Sequence, residues 1–159
     1  DLAIYEQFSG ALEILPWVAA VDAFQHWIYT NPQHTREERT EQWVSLMQRF
    51  MAHEVDWSGL ENIQRTLWQR QLHIFEVPFY YIEYAIAQLG ALQVWRNYQQ
   101  DEKMAVEKYL QGLKMGYSRP IPEIYQAAGI SFDFSENLVG ELMTAVGDKL
   151  KDVTGRLRS

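Results

Sequence analysis

Tyr80 and Tyr84 stand four residues apart in the stretch Phe79-Tyr80-Tyr81-Ile82-Glu83-Tyr84. On a helix that spacing sends both hydroxyls out from one face. The residues onward to Leu92 carry almost no charge, which predicts a helix from Phe79 to Gln99 that is buried nearly all round. Such a helix has few places to satisfy three phenols and a carboxylate. A buried hydroxyl left unpaired costs about 1–3 kcal/mol, so the group must line a polar cleft or form a hydrogen-bonded core cluster. Spacing alone leaves both readings open.

Other chemistries find little support. A zinc hydrolase of the His-Glu-x-x-His type needs two histidines one helical turn apart, with the glutamate as general base. His53-Glu54 is followed by Val55-Asp56-Trp57, so the second ligand position is Trp57. The four histidines, at 26, 34, 53 and 73, lack ligand spacing, and the expectation is that this chain alone binds no metal. His53 reads as a solvated helix-end residue. No Gly-x-Ser-x-Gly elbow and no glycine-rich phosphate loop occurs. The acidic pairs Glu37-Glu38 and Asp101-Glu102 sit where helix starts favour negative charge.

The elements that must position the tyrosines are helical throughout. Leu12, Leu15, Val18, Ala19, Val21, Phe24 and Ile28 form an apolar set around Pro16, which either kinks a long helix or starts a new one. Asn31-Pro32 ends it. Thr35 with Glu38 predicts a capping box and a helix to about Met51. Ser58 with Glu61 predicts a second box, opening a helix to about Gln71. His73 to Pro78 reads as a break, because proline disfavours helix at Val77. Asp101 or Gln100 starts a helix to about Lys114, with Gly116 as its C-cap residue. Pro120 and Pro122 open a short helix ended by Gly129, and Ser135 caps a last one reaching about Leu157. No stretch alternates with period two, so the fold class is all-α, a helical bundle in which residues 1–159 form a single helical region.

Composition narrows the partners. With 47% hydrophobic and 22% charged residues the chain folds rather than stays disordered. A net charge of -7, with scattered Lys and Arg, argues against nucleic acid. No uncharged apolar run approaches the roughly 20 residues that span a bilayer, so no membrane association is expected. The absence of Cys removes thiolate sites and disulfides and fits a reducing, cytoplasmic compartment. Asp1 to Phe8 already reads as helix without an initiator Met, as expected of a segment of something longer.

The run from His73 through Pro78-Phe79-Tyr80-Tyr81-Ile82-Glu83-Tyr84-Ala85-Ile86-Ala87-Gln88-Leu89-Gly90-Ala91-Leu92 resembles the C-terminal signature of oligoendopeptidase F, among the thimet-oligopeptidase-like zinc peptidases. Weaker blocks agree in order and spacing: Val21 to Tyr29, Tyr109-Leu110, Leu113 to Ser118, Pro122-Glu123 and Ala128 to Ile130. The resemblance implies the C-terminal portion of an all-helical catalytic domain that encloses a channel admitting short peptides. It implies zinc in the parent enzyme, bound by a His-Glu-x-x-His helix and a further glutamate that would lie upstream of Asp1. Carried over by position, His73, Tyr80 and Tyr84 are the catalytic donors that polarise the substrate carbonyl, with Tyr81 and Phe79 as substrate-binding neighbours. His26 matches a family block but reads as structural.

Two function classes follow. One is an incomplete peptidase, inactive alone, that forms a wall of the channel and acts on short peptides together with the upstream part of the same enzyme. The other is a non-catalytic helical module that binds peptide or protein. An exposed apolar face, expected on a segment parted from its other half, would also favour a homo-oligomer.

Overall fold

The computed structural model describes residues 1–51 and 55–158, and the His53-Glu54 pair lies outside them. It is all-α, with no strand among the described residues. The described residues hold eight helices, in order α1 Leu2–Thr30, α2 Arg36–Phe50, α3 Glu61–Thr66, α4 His73–Glu76, α5 Ile82–Gln100, α6 Glu102–Met115, α7 Ile121–Ala127 and α8 Glu136–Leu157, with a 3₁₀ turn at Leu67–Arg70.

The chain forms two compact units. One comprises Glu13–Ala85; the other joins Asp1–Leu12 to Ile86–Ser159. The Glu13–Ala85 unit is built around the inner stripe of α1. Val18, Val21 and Phe24 are fully buried with Trp43 of α2, and Leu46, Met47, Trp68, Ile74, Tyr81 and Ala85 complete the cluster. Trp43 meets Trp17 and Phe24 edge-on, with centroids 5.5 and 5.2 Å away. Its indole N–H donates to the Gln64 carbonyl at 3.0 Å. A buried indole needs that partner, and the bond ties α2 to the residues that lead into the site.

Helix starts follow their side-chain chemistry in three of the four expected places. Thr35 accepts from the Glu38 N–H, and the Thr35 N–H donates to the Glu38 carboxylate, closing the predicted box. Asp101 and Ser135 cap α6 and α8 through the N–H groups of Met104 and Leu138. The box expected at Ser58 does not form. The N-cap of α3 is Leu60, and the carboxylates of Asp56 and Glu61 instead accept from the N–H groups of Ser58 and Gly59. Pro16 lies inside a continuous α1, where it denies the Leu12 carbonyl its helical donor.

In the second unit, Phe8 packs edge-on against Trp95 at 4.7 Å, and Leu142, Val146 and Val153 of α8 are fully buried. Gln93, itself buried, grips the chain after α7 twice: its amide donates to the Ser131 carbonyl and accepts from the Ser131 N–H. Helix α6 meets α7 at Gly112, where an added Cβ would lie 2.8 Å from that of Ala128. Gly90 and Ala91 of α5 border an apolar groove of about 560 Å³ with Leu113 and Tyr125. The face of α5 carrying Glu83, Tyr84, Ala87 and Ala91 is exposed, so the expected burial all round is corrected. Small and apolar residues on that face made its sequence look like core.

Candidate functional site

The predicted site residues all fall in the Glu13–Ala85 unit, on the link from α4 into α5. The sequence predicts a break at His73–Pro78, but His73–Glu76 completes one helical turn before Val77 leaves it. Phe79 then adopts φ +60°, the sole described non-glycine residue at positive φ. This conformation costs a side-chain-bearing residue roughly 1–2 kcal/mol. Against that cost, the Phe79 ring packs on His26 and Tyr29 of α1, with centroids 4.8 and 5.1 Å away. The turn delays α5 to Ile82. Tyr80 and Tyr81 therefore precede the helix, and the expected single helical face for Tyr80 and Tyr84 is replaced by a folded-back turn.

That turn brings the aromatic rings together. His73 lies nearly parallel to Tyr80, 12° between planes and 5.9 Å between centroids. It meets Tyr81 and Tyr84 more steeply, at 4.9 and 5.7 Å. Nε2 of His73 is 3.3 Å from the Tyr84 hydroxyl. Tyr80 and Tyr84 are respectively 50% and 43% exposed, whereas Tyr81 is buried. His73, Tyr80, Tyr81 and Tyr84 thus form one cluster, with two phenols open to solvent and one facing the core. Phe79 is exposed and packs its ring on His26 and Tyr29 of α1.

Burial pushes the Tyr81 hydroxyl above its ordinary range, and neighbouring Tyr84 adds to the rise. The Trp17 side chain and the Arg70 charge oppose it. Tyr81 is therefore a neutral hydroxyl at physiological pH. On α1, burial also raises the Asp22 carboxyl, partly offset by His26, whose Nε2 is 3.5 Å away.

Sequence reasoning missed two participants. The side-chain nitrogen Nε2 of Gln71 lies 2.7 Å from Nδ1 of His73, and the indole N–H of Trp17 donates to the side-chain oxygen Oε1 of Gln71 at 3.1 Å. Gln71 opens the aromatic segment, and its position two residues before His73 was the available signal. Trp17, separated by 54 residues, gave none.

Among the described residues, no group of three His, Asp or Glu side chains could hold a metal ion. Around His73 the nearest groups are phenols and a carboxamide, a donor set that does not suit zinc, which takes imidazole, thiolate and carboxylate. No helix among the described residues is long and apolar enough to cross a membrane.

Comparison with known proteins places these features in a family. The model of Peptidase family M3 matches residues 3–144. The structure of PZ peptidase A with an inhibitor superposes with a TM-score of 0.84 at 34% identity, covering 93% of this chain and 26% of that one. An oligoendopeptidase F superposes with a TM-score of 0.78, also at 34% identity, covering 92% of this chain and 26% of the other. The chain therefore spans about a quarter of the length of these two structures. No curated protein sequence matches it. An all-helical chain matched over 142 consecutive residues, 3 to 144, belongs to Peptidase family M3.

Proposed function

We propose that this chain is the substrate-facing segment of a zinc-dependent oligoendopeptidase acting on short peptides, and that it supplies hydrogen-bond donors to the carbonyl under attack. The observation that carries the reading is the approach of His73 Nε2 to the Tyr84 hydroxyl on an open face of the cluster. A hydroxyl donor beside an imidazole suits an oxygen that gains negative charge as a tetrahedral intermediate forms. Donors fixed beforehand stabilise that charge without reorganising, so they act on the transition state more than on bound substrate.

Tyr84 is the donating phenol in this reading. Tyr80 supplies its ring as a wall beside His73, and Tyr81 packs against both His73 and Tyr84. Phe79 fixes the turn that presents them. Zinc in such a peptidase would supply activation of a water molecule; no group among the described residues suits it, and this reading assigns its ligands elsewhere in the polypeptide. By itself the segment is inactive.

The test is Tyr84→Phe and His73→Asn in a complete peptidase carrying this segment. Tyr84→Phe loses its hydroxyl with little change in size, His73→Asn withdraws the Nε2 edge by shortening the side chain, and kcat is expected to fall on the order of 10²–10³-fold with KM little changed. Unaltered kcat in both variants would leave a peptide-binding wall without a catalytic part.

A further inference from the structure

Within the proposed catalytic role, we infer that Trp17 and Gln71 act as positioning residues that fix the tautomer of His73, so that Nε2 carries the proton and serves as donor.

The chain of reasoning begins at a group with no choice. An indole nitrogen can only donate. The Trp17 N–H is 3.1 Å from one end of the Gln71 carboxamide, so that end must be the carbonyl oxygen. The opposite end is then the NH₂, which also only donates. It lies 2.7 Å from Nδ1 of His73, so Nδ1 must offer its lone pair. A neutral imidazole accepting at Nδ1 bears its proton on Nε2. That proton points toward the Tyr84 hydroxyl at 3.3 Å. Because the Tyr84 oxygen accepts there, its own proton is left to turn outward, on a residue that is 43% exposed.

The opposite tautomer would defeat the site. With the proton on Nδ1, two donors would face each other across 2.7 Å, and the Nε2 lone pair would draw the Tyr84 hydroxyl proton inward, away from an incoming carbonyl oxygen. The relay therefore settles whether the Tyr84 proton is held by His73 or offered outward to developing negative charge. It reaches back to α1, whose Trp17 ring is itself held edge-on against Trp43.

His34 provides an internal control of opposite sense. Its Nε2 lies 2.8 Å from Nε of Arg39, an obligate donor, and its Nδ1 lies 2.5 Å from the Asn31 carbonyl, an obligate acceptor. A neutral His34 must therefore carry its proton on Nδ1.

The experiment is long-range ¹H–¹⁵N correlation of the imidazole rings in the ¹⁵N-labelled chain, at a pH where the rings are neutral. Signals are assigned from His73→Asn and His34→Asn. We expect the protonated-nitrogen signature on Nε2 for His73 and on Nδ1 for His34. Gln71→Glu keeps the bond from Trp17 but presents a pure acceptor to His73, so a proton should appear on Nδ1. A proton on Nδ1 of His73 in the unaltered chain overturns the inference, whatever the variants do. So does a Gln71→Glu spectrum unchanged at His73.

In a complete peptidase, Gln71→Glu should lower kcat on the order of 10–100-fold, by analogy with loss of the partner that orients a metal-ligating histidine. Rescue toward normal by Gln71→Asn is not expected, because the shorter side chain cannot span Trp17 and His73. A confirmed tautomer with kcat insensitive to His73→Asn would leave the relay standing and sink the catalytic reading. A contrary tautomer with kcat sensitive to His73→Asn would do the reverse.

Discussion

The ring of Phe79 lies against that of His26, centroids 4.8 Å apart and planes at 52°, while the Phe79 backbone sits at φ +60°. Packing holds a bulky residue in a conformation that the chain alone disfavours, in the turn that presents Tyr80. Strain of this kind collects where a site must be preorganised. Replacing Phe79 by Ala and by Gly removes the ring in both cases, but glycine alone accepts positive φ without penalty. The Gly variant should therefore be more stable than the Ala variant by about 1 kcal/mol, read from urea denaturation. Equal stability, or a more stable Ala variant, would mean that the turn is not left-handed.

The capping box at Thr35 predicts an acid dependence. The Thr35 N–H and hydroxyl hold the Glu38 carboxyl below its ordinary range, backbone contribution first. A depressed carboxyl contributes stability that is present above its unfolded value and is lost as pH falls through the folded value. Glu38→Gln should thus be less stable than the unaltered chain at neutral pH. The gap should close as pH falls below the ordinary glutamate range, near 4. A gap independent of pH would show that charge has no part in the box. Thr35→Ala should cost about 1 kcal/mol near neutrality.

Tyr81 predicts the opposite limb. Its hydroxyl is raised above the ordinary phenol value, chiefly by burial. Such a group contributes fully below its unfolded value, near 10, and that contribution is lost as pH rises through the higher folded value. The stability advantage of the unaltered chain over Tyr81→Phe should therefore shrink between about pH 10 and the folded value. Denaturation midpoints of both proteins across that range would check it. An advantage that grows instead would place the phenolate, not the phenol, in the folded cluster.

Much of the fold was legible because its punctuation is local. Thr35, Asp101 and Ser135 cap the helices they were expected to cap, since an N-cap acts on N–H groups within three residues. Ser58 failed for an equally local reason: Asp56 and Glu61 offered carboxylates to the same stretch and displaced it. That His73, Tyr80, Tyr81 and Tyr84 lie together was legible from their closeness in sequence, but their geometry was not. Periodicity placed Tyr80 on a helix because it cannot register a positive φ at Phe79, which is fixed by His26 and Tyr29 some fifty residues earlier. Trp17 was invisible for the same reason. Nothing in the sequence near Gln71 says that an indole will reach it from α1.

Glycine positions separate packing from propensity. An alanine Cβ at Gly112 would lie 2.8 Å from the Ala128 Cβ and 3.1 Å from the Ile124 carbonyl, whereas at Gly140 nothing lies within 4 Å. Both glycines are inside helices, where alanine is favoured by nearly 1 kcal/mol. Gly140→Ala should therefore raise stability by up to that amount. Gly112→Ala should lower it by about 1–3 kcal/mol, because backbone must move to relieve the overlap. Paired thermal melts would test both signs, and a stabilising Gly112→Ala would mean that α6 and α7 do not approach this closely.

The two exposed tyrosines of the cluster should behave differently. Tyr80 presents its ring nearly parallel to His73, at 12°, while Tyr84 brings its hydroxyl to 3.3 Å from Nε2. If Tyr80 acts through its ring, Tyr80→Phe retains that function and Tyr80→Ala loses it. In a complete peptidase, Tyr80→Phe should then leave kcat within a few-fold of normal, while Tyr84→Phe lowers it on the order of 10²–10³-fold. Tyr80→Ala should raise KM or lower kcat by releasing His73 from one side. The reverse pattern, with Tyr80→Phe disabling and Tyr84→Phe harmless, would transfer the donor role to Tyr80. The turn at Phe79 would then have to rearrange when substrate enters, because Tyr80 meets His73 ring to ring rather than along a hydrogen bond.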